Sequence, residues 1–337
     1  MRILVTDRFS REGVDQLKAA GLEVFEAPPA ERRGDPPRTG SVPQLSELVA
    51  DAQGLVVRSQ TQVTAQLLEG AKQLLVVGRA GVGCENIDVA ACERLGILVM
   101  NTPGSSAITT GERTVAMMLA MLHQVTAADR SVRAGKWERR SFMASEAFDK
   151  TLGVLGYGNV GRVVVDRARA LRMRVNVHDP NVPPEAIFNL GLKPVGFDEL
   201  FKASDVVSVH VTADLKLKHL VGARELALMR PGSWLVNTSR GWVVDEAAVA
   251  DALESKHLRG AAFDVFESEP LPAESRLRGF ESVVLSPHLG ASSTEAERRV
   301  AIALADQIVR VLQTGVVSAS SLVARPGKSR HPFTEVR

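Results

Sequence analysis

The chain has 337 residues, beyond the roughly 250 to 300 residues at which a single hydrophobic core stops growing, so we expect two domains. A content of 45% hydrophobic and 24% charged residues is ordinary for a folded protein, and a net charge of +2 with only 4% aromatic residues argues against a nucleic-acid partner. No apolar run approaches ~20 residues and the first residues lack the regions of a signal peptide, so we expect a cytoplasmic protein with no membrane partner.

The first hundred residues alternate short β-branched apolar runs with amphipathic segments, a pattern typical of parallel sheets covered by helices. The stretch from Pro28 to Pro43 interrupts this pattern, and its Pro, Gly and Arg residues predict a mobile surface loop. Cys84 and Cys92 are interpreted as reduced packing residues. Strands are predicted at residues 3–6, 22–27, 54–59, 74–80 and 97–101.

A helical segment from Ser105 to Val125 is apolar on most sides and is followed by a second helix from Thr126 to Ala134. A helix of this kind is expected to be buried between domains or subunits, which favours at least a dimer, either a homodimer or a homotetramer. Its methionines, at helical spacing, are interpreted as core residues rather than as a metal or redox site.

A second alternating block follows, with strands predicted near residues 151–155, 173–178, 205–211, 233–238, 261–266 and 282–286. Six strands fit one dinucleotide-binding domain. An amphipathic helix then ends at Gly315, and residues 317–337 are expected to form a flexible tail.

The first strand of this block leads into a glycine-rich turn at the start of a helix, with Gly156, Gly158 and Gly161 in a GxGxxG pattern. Such a turn brings backbone N–H groups and the helix dipole to a pyrophosphate. Asp179 ends the next strand, where a carboxylate accepts the ribose hydroxyls and repels a 2′-phosphate. Since Pro180 and Asn181 supply no nearby cation, the predicted cofactor is NAD rather than NADP.

Reactive side chains follow the later strands, at the edge of the sheet where ligands bind. Arg240 offers a planar fork for a carboxylate, His288 has a pKa suited to taking a hydroxyl proton, and Glu269 can orient the imidazole. Together they predict hydride transfer at a hydroxy acid. No HxxxH, CxxC or GxSxG pattern occurs, so neither a metal site nor a serine hydrolase is predicted.

The blocks GLVVRSQTQVT, VVGRAGVGCENID, KTLGVLGYGNVGR, VNTSRGWVVDE, AAFDVFESEP and SPHLGASSTEA resemble the D-isomer-specific 2-hydroxyacid dehydrogenases, and within that family the D-3-phosphoglycerate dehydrogenases of serine biosynthesis. The resemblance runs from about residue 3 to residue 316. It implies an α/β fold of two Rossmann-like or flavodoxin-like domains, in which an NAD domain, residues 102–290, is inserted into a discontinuous substrate domain, residues 1–101 and 291–316. It also implies Arg240 as the carboxylate clamp, His288 as acid and base, and Glu269 as its partner.

The resemblance further implies two sets of binding residues. Arg58 and Arg79, at strand ends, would supply positive charge for a phosphorylated acid, and Arg139 or Arg140 of a neighbouring subunit could add to it. The implied substrate residues are Arg58, Ser59, Arg79, Ala80, Gly81, Val82, Gly83 and Arg240. The implied cofactor residues are Gly156, Gly158, Asn159, Val160, Gly161, Asp179, Val211, Thr238, Ser239, Arg240, Asp264, His288, Gly290 and Ala291.

Three departures from the family pattern bear on the substrate: the long 28–43 loop, Trp242 beside Arg240, and Thr212 in place of a customary Pro. Two alternatives to the oxidation of D-3-phosphoglycerate stay open. One is a glyoxylate or hydroxypyruvate reductase or another D-2-hydroxyacid dehydrogenase, and the other is an NAD(H)-sensing protein related to transcriptional corepressors. Since the sequence ends soon after the matched region, no C-terminal regulatory domain of the kind some family members carry is expected.

Overall fold

The computed structural model describes residues 1–27 and 44–336, so the predicted loop from Pro28 to Pro43 lies outside the described residues. The chain folds into two compact units, residues 1–106 with 292–337, and residues 107–291. The family resemblance implies boundaries after residues 101 and 290, whereas the structure divides the chain after residues 106 and 291. Among the described residues, no helix has both the length and the apolar character needed to cross a membrane.

The first unit contains a six-stranded sheet in which five strands are parallel, as the alternating apolar runs predict. Its strands are β1 (Arg2–Val5), β2 (Glu23–Glu26), β3 (Gly54–Val57), β4 (Val76–Arg79), β5 (Leu98–Met100) and β14 (Leu322–Ala324), in the order β14-β5-β4-β3-β1-β2. Its helices are α1 (Arg11–Ala19), α2 (Leu45–Ala50), α3 (Ala65–Gly70), α4 (Val89–Leu95) and α12 (Thr294–Thr314).

Both faces of this sheet are covered, which explains why the inner strands β3, β4 and β5 are almost entirely apolar and buried. Val76, Leu98 and Met100 pack against α12 on one face, and Val77 and Val99 belong to the core on the other. Helix α12 thus returns the chain to a sheet built almost entirely from the first hundred residues.

The segment after α12 differs from the expected flexible tail. Strand β14 pairs antiparallel with β5, with Leu322 opposite Met100. Val317, Leu322 and Ala324 are buried, so these three side chains fix the segment to the core of the first unit. The short strands β13 (Val316–Ser318) and β15 (Thr334–Val336) also pair with each other.

The second unit is built on a seven-stranded parallel sheet, one strand more than predicted. The added strand, β8, has only two residues and lacks an apolar run from which it could be predicted. The strands are β6 (Thr151–Leu155), β7 (Arg174–His178), β8 (Lys193–Pro194), β9 (Val206–Val209), β10 (Ser233–Asn237), β11 (Leu258–Phe263) and β12 (Val283–Leu285), in the order β12-β11-β10-β9-β6-β7-β8. The helices are α5 (Ala107–Leu122), α6 (Val125–Arg133), α7 (Asn159–Ala170), α8 (Pro184–Phe188), α9 (Phe197–Ala203), α10 (Ala223–Leu228) and α11 (Glu246–Glu254).

The strand order reverses between β6 and β9, and this switch point is where open parallel sheets bind ligands. Helix α5 packs against α7 within this unit. Its methionines Met117, Met118 and Met121 are buried in the core on one face of the sheet, which confirms their interpretation as core residues. The apolar character of α5 is therefore accounted for inside its own unit.

Candidate active site

The glycine-rich turn lies at the switch point of the seven-stranded sheet. The amide of Gly156 donates to the carbonyl oxygen of His178 at the end of β7, and the amide of His210 donates to the carbonyl oxygen of Leu155 at the end of β6. Gly156 has a φ of +97°, and a Cβ on it would lie 2.6 Å from the carbonyl oxygen of His210. Only glycine can occupy this position without moving the end of a neighbouring strand.

The other two glycines of the turn differ in what surrounds them. A Cβ on Gly161 would stand 2.2 Å from the carbonyl oxygen of Gly156, so this glycine is required for α7 to pack against the turn. A Cβ on Gly158 would meet nothing within 4 Å. Gly158 is also the N-cap of α7 and makes no side-chain cap, so the first N–H groups of this helix are left for an anion beside the open space at Gly158.

The carboxylate of Asp179 is fixed next to this turn. One oxygen accepts the amide of Tyr157 at 2.7 Å and the other accepts the amide of Asn181 at 2.8 Å. These bonds hold the carboxylate at the end of β7, and each oxygen keeps a lone pair for a ribose hydroxyl. The open space at Gly158 fits the pyrophosphate of a dinucleotide, and the held carboxylate fits the ribose of its adenosine half.

We predict opposite effects for alanine at two of these glycines. Gly161→Ala is expected to destabilise the fold by about 1–3 kcal/mol, because its Cβ meets backbone that cannot retreat freely. Gly158→Ala should leave the melting temperature unchanged and weaken NADH binding by about tenfold, because its Cβ enters the space that a pyrophosphate needs. Thermal unfolding and NADH fluorescence titration measure the two effects, and wild-type NADH affinity in Gly158→Ala would contradict this assignment.

His288 and Glu269 form the most direct contact between predicted catalytic groups. Nδ1 of His288 lies 2.7 Å from Oε2 of Glu269, whose other oxygen accepts the amide of Phe266 at 3.0 Å. The hydrogen bond and charge of Glu269 raise the pKa of His288 despite partial burial. Burial opposes ionisation of Glu269, but its hydrogen bonds and the positive charges of His288 and Arg240 together lower its pKa.

Arg240 follows β10 and is held by its own strand end. Its carbonyl oxygen accepts the side-chain amide of Asn237 at 2.9 Å, and its guanidinium donates to the carbonyl oxygen of Ser239 at 2.8 Å. Asn237 also accepts both the amide and the hydroxyl of Ser239 through its side-chain oxygen. The positive charge of Arg240 lowers the pKa values of both Glu269 and His288. The three predicted catalytic residues are therefore close enough to affect one another's charge.

Buried Asp264 organises the turn that carries His288. Its backbone oxygen accepts the amide of His288 at 2.8 Å, and Oδ1 accepts the amide of Leu289 at 2.9 Å. Oδ2 is buried without a hydrogen-bond partner among the described residues, at the end of β11. Such an acceptor fits the carboxamide of a nicotinamide, whose N–H groups would satisfy it.

The remaining predicted cofactor residues of the second unit also follow strand ends. Val211 lies just past β9, Thr238 and Ser239 follow β10 directly, and Gly290 and Ala291 lie in the turn after β12 that also carries His288. The structure therefore assembles the cofactor residues at one edge of one sheet. Asn159 and Val160 open helix α7 beside them.

Sequence reasoning missed several residues that position this edge. Thr114 exchanges a 2.7 Å hydrogen bond with Thr238, and Thr110 donates to the carbonyl oxygen of Gly290 at 3.0 Å. Both threonines lie on α5, whose many apolar residues predicted a buried helix and not a role at the cofactor site. Asn237 ends a predicted strand. A polar side chain at that place in LVNTSR could have suggested that it holds the turn before Arg240.

The predicted substrate residues of the first unit follow β3 and β4 at the carboxyl edge of its sheet. Nη1 of Arg58 pairs with Oε1 of Glu297 at 2.9 Å, an ion pair that the sequence did not suggest. Nη1 of Arg79 donates to the carbonyl oxygen of Ala80 at 2.9 Å. Ser59 and the segment 80–83 adjoin these arginines along the chain.

One group of possible metal ligands occurs among the described residues, although the sequence predicts no metal. It consists of His219, Asp245 and Glu267. Nε2 of His219 lies 3.0 Å from Glu267, and Asp245 caps α11 by accepting the amide of Ala248. These groups are thus engaged with each other and with backbone, as in a surface ion-pair network.

Residues 115–290 match the family model described as the D-isomer specific 2-hydroxyacid dehydrogenase, NAD binding domain. The chain belongs to the D-isomer-specific 2-hydroxyacid dehydrogenase family. The match covers the turn, Asp179 and the three catalytic candidates, so the second unit is the NAD-binding domain and the predicted cofactor is confirmed.

A curated relative from Archaeoglobus fulgidus, named D-3-phosphoglycerate dehydrogenase, is 40% identical over 312 residues. The alignment covers 92% of this chain and 57% of that relative, so the chain spans less than two thirds of the length of the protein it matches. Among solved structures, the TT0316 protein from Thermus thermophilus is 30% identical with a TM-score of 0.82, over 96% of this chain and 100% of that one. The NAD-dependent formate dehydrogenase from Staphylococcus aureus, in complex with NAD, is 25% identical with a TM-score of 0.78, over 97% of this chain and 100% of that one.

Proposed function

We propose that the protein oxidises D-3-phosphoglycerate to 3-phosphohydroxypyruvate, with NAD as the cofactor. The observation that carries this proposal is the 2.7 Å contact between His288 and Glu269 beside the charge of Arg240. The name of the 40% identical relative from Archaeoglobus fulgidus supports the choice of substrate. When bound, NAD supplies the acceptor for the hydride.

His288 takes the hydroxyl proton in this proposal. Because ionised Glu269 accepts from Nδ1, Nδ1 carries the proton of the neutral ring and Nε2 is the free base. The substrate hydroxyl donates to Nε2, and the imidazolium that forms is stabilised by Glu269. In the reverse direction the same imidazolium returns the proton to the keto oxygen.

Arg240 binds the substrate carboxylate through its planar guanidinium, which can donate two parallel hydrogen bonds. Arg58 and Arg79 bind the phosphate in the same proposal. Arg58 already pairs with Glu297, so a bound phosphate would have to share the Arg58 guanidinium with that carboxylate. Arg139 and Arg140 are both exposed and stay predicted contributors from a second subunit.

The deciding experiment compares D-3-phosphoglycerate with unphosphorylated D-glycerate in the oxidative direction, and 3-phosphohydroxypyruvate with hydroxypyruvate and glyoxylate in the reductive one. NADH absorbance is the readout, and a strong preference for the phosphorylated acids is expected. A preference for the unphosphorylated acids would identify a reductase of the glyoxylate or hydroxypyruvate type. Tight NADH binding without turnover of any of these acids would favour an NAD(H)-sensing protein.

Glu269→Gln is expected to move the pH profile in a defined direction. Glu269 raises the pKa of His288, and Gln keeps a hydrogen-bond acceptor but removes the charge, so the pKa of His288 should fall. Oxidation needs neutral His288, and its kcat/KM rises with pH through this pKa, so the rising limb should move to lower pH. Reduction needs protonated His288, so its falling limb should move the same way. Limbs at the wild-type pH would contradict a role for Glu269 in the protonation of His288.

We also propose that the protein forms a homodimer, through a surface at and after α6 and not through α5. The apolar face of α5 is buried within its own unit, whereas apolar side chains in and after α6 are exposed. They are Val125 (54%), Val132 (54%), Trp137 (78%), Met143 (71%) and Phe148 (54%). A surface of this kind is typical of an interface between copies.

Trp137→Asp combined with Met143→Glu is expected to convert the dimer to a monomer, because both charges would have to be buried in the interface. Sedimentation velocity measures the change. Leu215→Glu, at a side chain of the second unit that is 74% exposed, is the matched control and should leave the dimer intact. A dimer that survives the double substitution would place the interface elsewhere.

A further inference from the structure

A cavity in the NAD-binding domain lies at the opposite edge of the sheet from the glycine-rich turn. Its volume is about 850 Å³, within the range of small-molecule sites. Thr151, Arg174 and Lys193, the first residues of β6, β7 and β8, line it. Ligands of parallel sheets gather at the carboxyl ends of the strands, so this cavity at the amino ends is separate from the NAD site.

The lining of the cavity is strongly cationic. Glu199 is the one acidic residue among the described residues that line it. An excess of positive groups around a concave surface raises the local concentration of anions. The cationic lining residues are Arg169, Arg174, Lys193 and Arg230.

Two of these cations are already neutralised by carboxylates outside the lining. Arg230 pairs with Asp205 at 3.1 Å, and Arg174 lies 3.6 Å from Asp149. Arg169 donates to a backbone carbonyl oxygen, that of Leu190, at 3.1 Å. Neither Arg169 nor Lys193 has a carboxylate partner within the described ranges, so both charges are available to an anionic ligand.

Two buried polar side chains also open onto the cavity. Asn176 is 5% exposed and Thr151 is 8% exposed. Both line the cavity, and neither side chain is hydrogen-bonded to any described residue. Buried amides and hydroxyls almost always have partners, so these two are expected to bind a polar ligand group or ordered water.

Phe188 adds an aromatic surface to the same lining. It ends α8, and 70% of it is exposed, so the ring is accessible to a ligand in the cavity. An aromatic ring beside a cationic groove is the combination that stacks a nucleobase while its phosphate is neutralised. The side-chain amide of Asn176 matches the adjacent donor and acceptor on the edge of an adenine.

We propose that this cavity binds a nucleoside phosphate at the same time as the NAD site is occupied. Arg169 and Lys193 bind the phosphate, Phe188 stacks on the base, and Thr151 and Asn176 hydrogen-bond the base or ribose. The proposal is independent of which hydroxy acid the enzyme oxidises.

The test is calorimetric titration of adenosine 5′-monophosphate into the 337-residue chain saturated with NADH, so that the adenosine half of the NAD site is filled. One-to-one binding is expected. Arg169→Ala combined with Lys193→Ala should weaken it by about tenfold or more, because two charge-assisted contacts to phosphate are lost. Phe188→Ala, at a side chain that is 70% exposed, should keep the wild-type melting temperature and weaken binding by about tenfold through lost stacking.

A matched control removes two other cations of the same domain. Arg167→Ala with Lys202→Ala, on α7 and α9 but outside the cavity lining, should leave the affinity unchanged. Loss of binding whenever NADH is present would overturn the proposal, because the nucleotide would then occupy only the NAD site. Equal affinity for inorganic phosphate, or wild-type affinity in both the Phe188 and the double variant, would overturn it as well.

Discussion

His288→Asn is expected to lower kcat by about 10²- to 10⁴-fold in both directions, the usual contribution of a positioned acid–base group. Asparagine is the appropriate substitution because His288 has a φ of +53°, a left-handed conformation that Asn tolerates better than most residues. Neither the melting temperature nor the affinity for NADH should change much. The loss of activity would then report the lost proton transfer and not a lost fold.

The chain offers a matched control for this substitution. His219 has a φ of +54° in the same domain, and its Nε2 lies 3.0 Å from a carboxylate oxygen of Glu267. His219→Asn therefore removes a histidine with the same backbone conformation and the same type of partner, and it should keep wild-type kcat. A kcat within tenfold of wild type in His288→Asn would show that another group carries the proton.

The parts of this site that could be predicted from the sequence are those fixed by local chain geometry. Gly156 needs a positive φ and Gly161 needs the absence of a Cβ, and both requirements appear directly as residue types at a fixed spacing. The position of Asp179 follows from the length of α7 and β7. Parallel strands bring their carboxyl ends to one edge, so Arg240 and His288 could be assigned to that edge from their places in the sequence alone.

The parts that could not be predicted depend on partners distant in the chain. Arg58 and Glu297 are 239 positions apart, and their ion pair exists because α12 returns to the first sheet. The pairing of β14 with β5 likewise depends on Leu322 and Ala324, which are buried in a short segment that has no strand pattern of its own. A sequence pattern shows whether a segment tends to form a helix or a strand. Contacts between distant segments depend instead on which segments the fold brings together.

The positioning roles of Asn237 and Asp264 have the same origin. Each is a buried polar residue at a strand end, and each uses its side chain to fix the backbone of the next turn. Composition and spacing identify Arg240 and His288 because their chemistry is distinctive. They do not reveal that an amide and a carboxylate hold those two residues in place.

Arg240→Lys is expected to lower kcat/KM for the hydroxy acid by about 10- to 10³-fold, although the charge is kept. A lysine ammonium cannot donate two parallel hydrogen bonds to a carboxylate, and its flexible stem is not held as the guanidinium is by the carbonyl oxygen of Ser239. Arg240→Met should lower kcat/KM further, since both the charge and the fork are lost. Steady-state kinetics at saturating NAD measure both effects, and wild-type kcat/KM in Arg240→Lys would exclude a bidentate clamp.

The same pair of variants separates substrate binding from the electrostatic effect of Arg240 on its neighbours. Arg240 lowers the pKa of His288, so removing its charge should raise that pKa and move the rising limb of oxidation to higher pH. Arg240→Lys keeps the charge and should leave the limb near its wild-type position, whereas Arg240→Met should shift it. The direction is opposite to that expected for Glu269→Gln, because the two residues carry opposite charges beside one imidazole. If the rising limb of kcat/KM for oxidation moved in the same direction in Arg240→Met and in Glu269→Gln, His288 would not be the group that titrates.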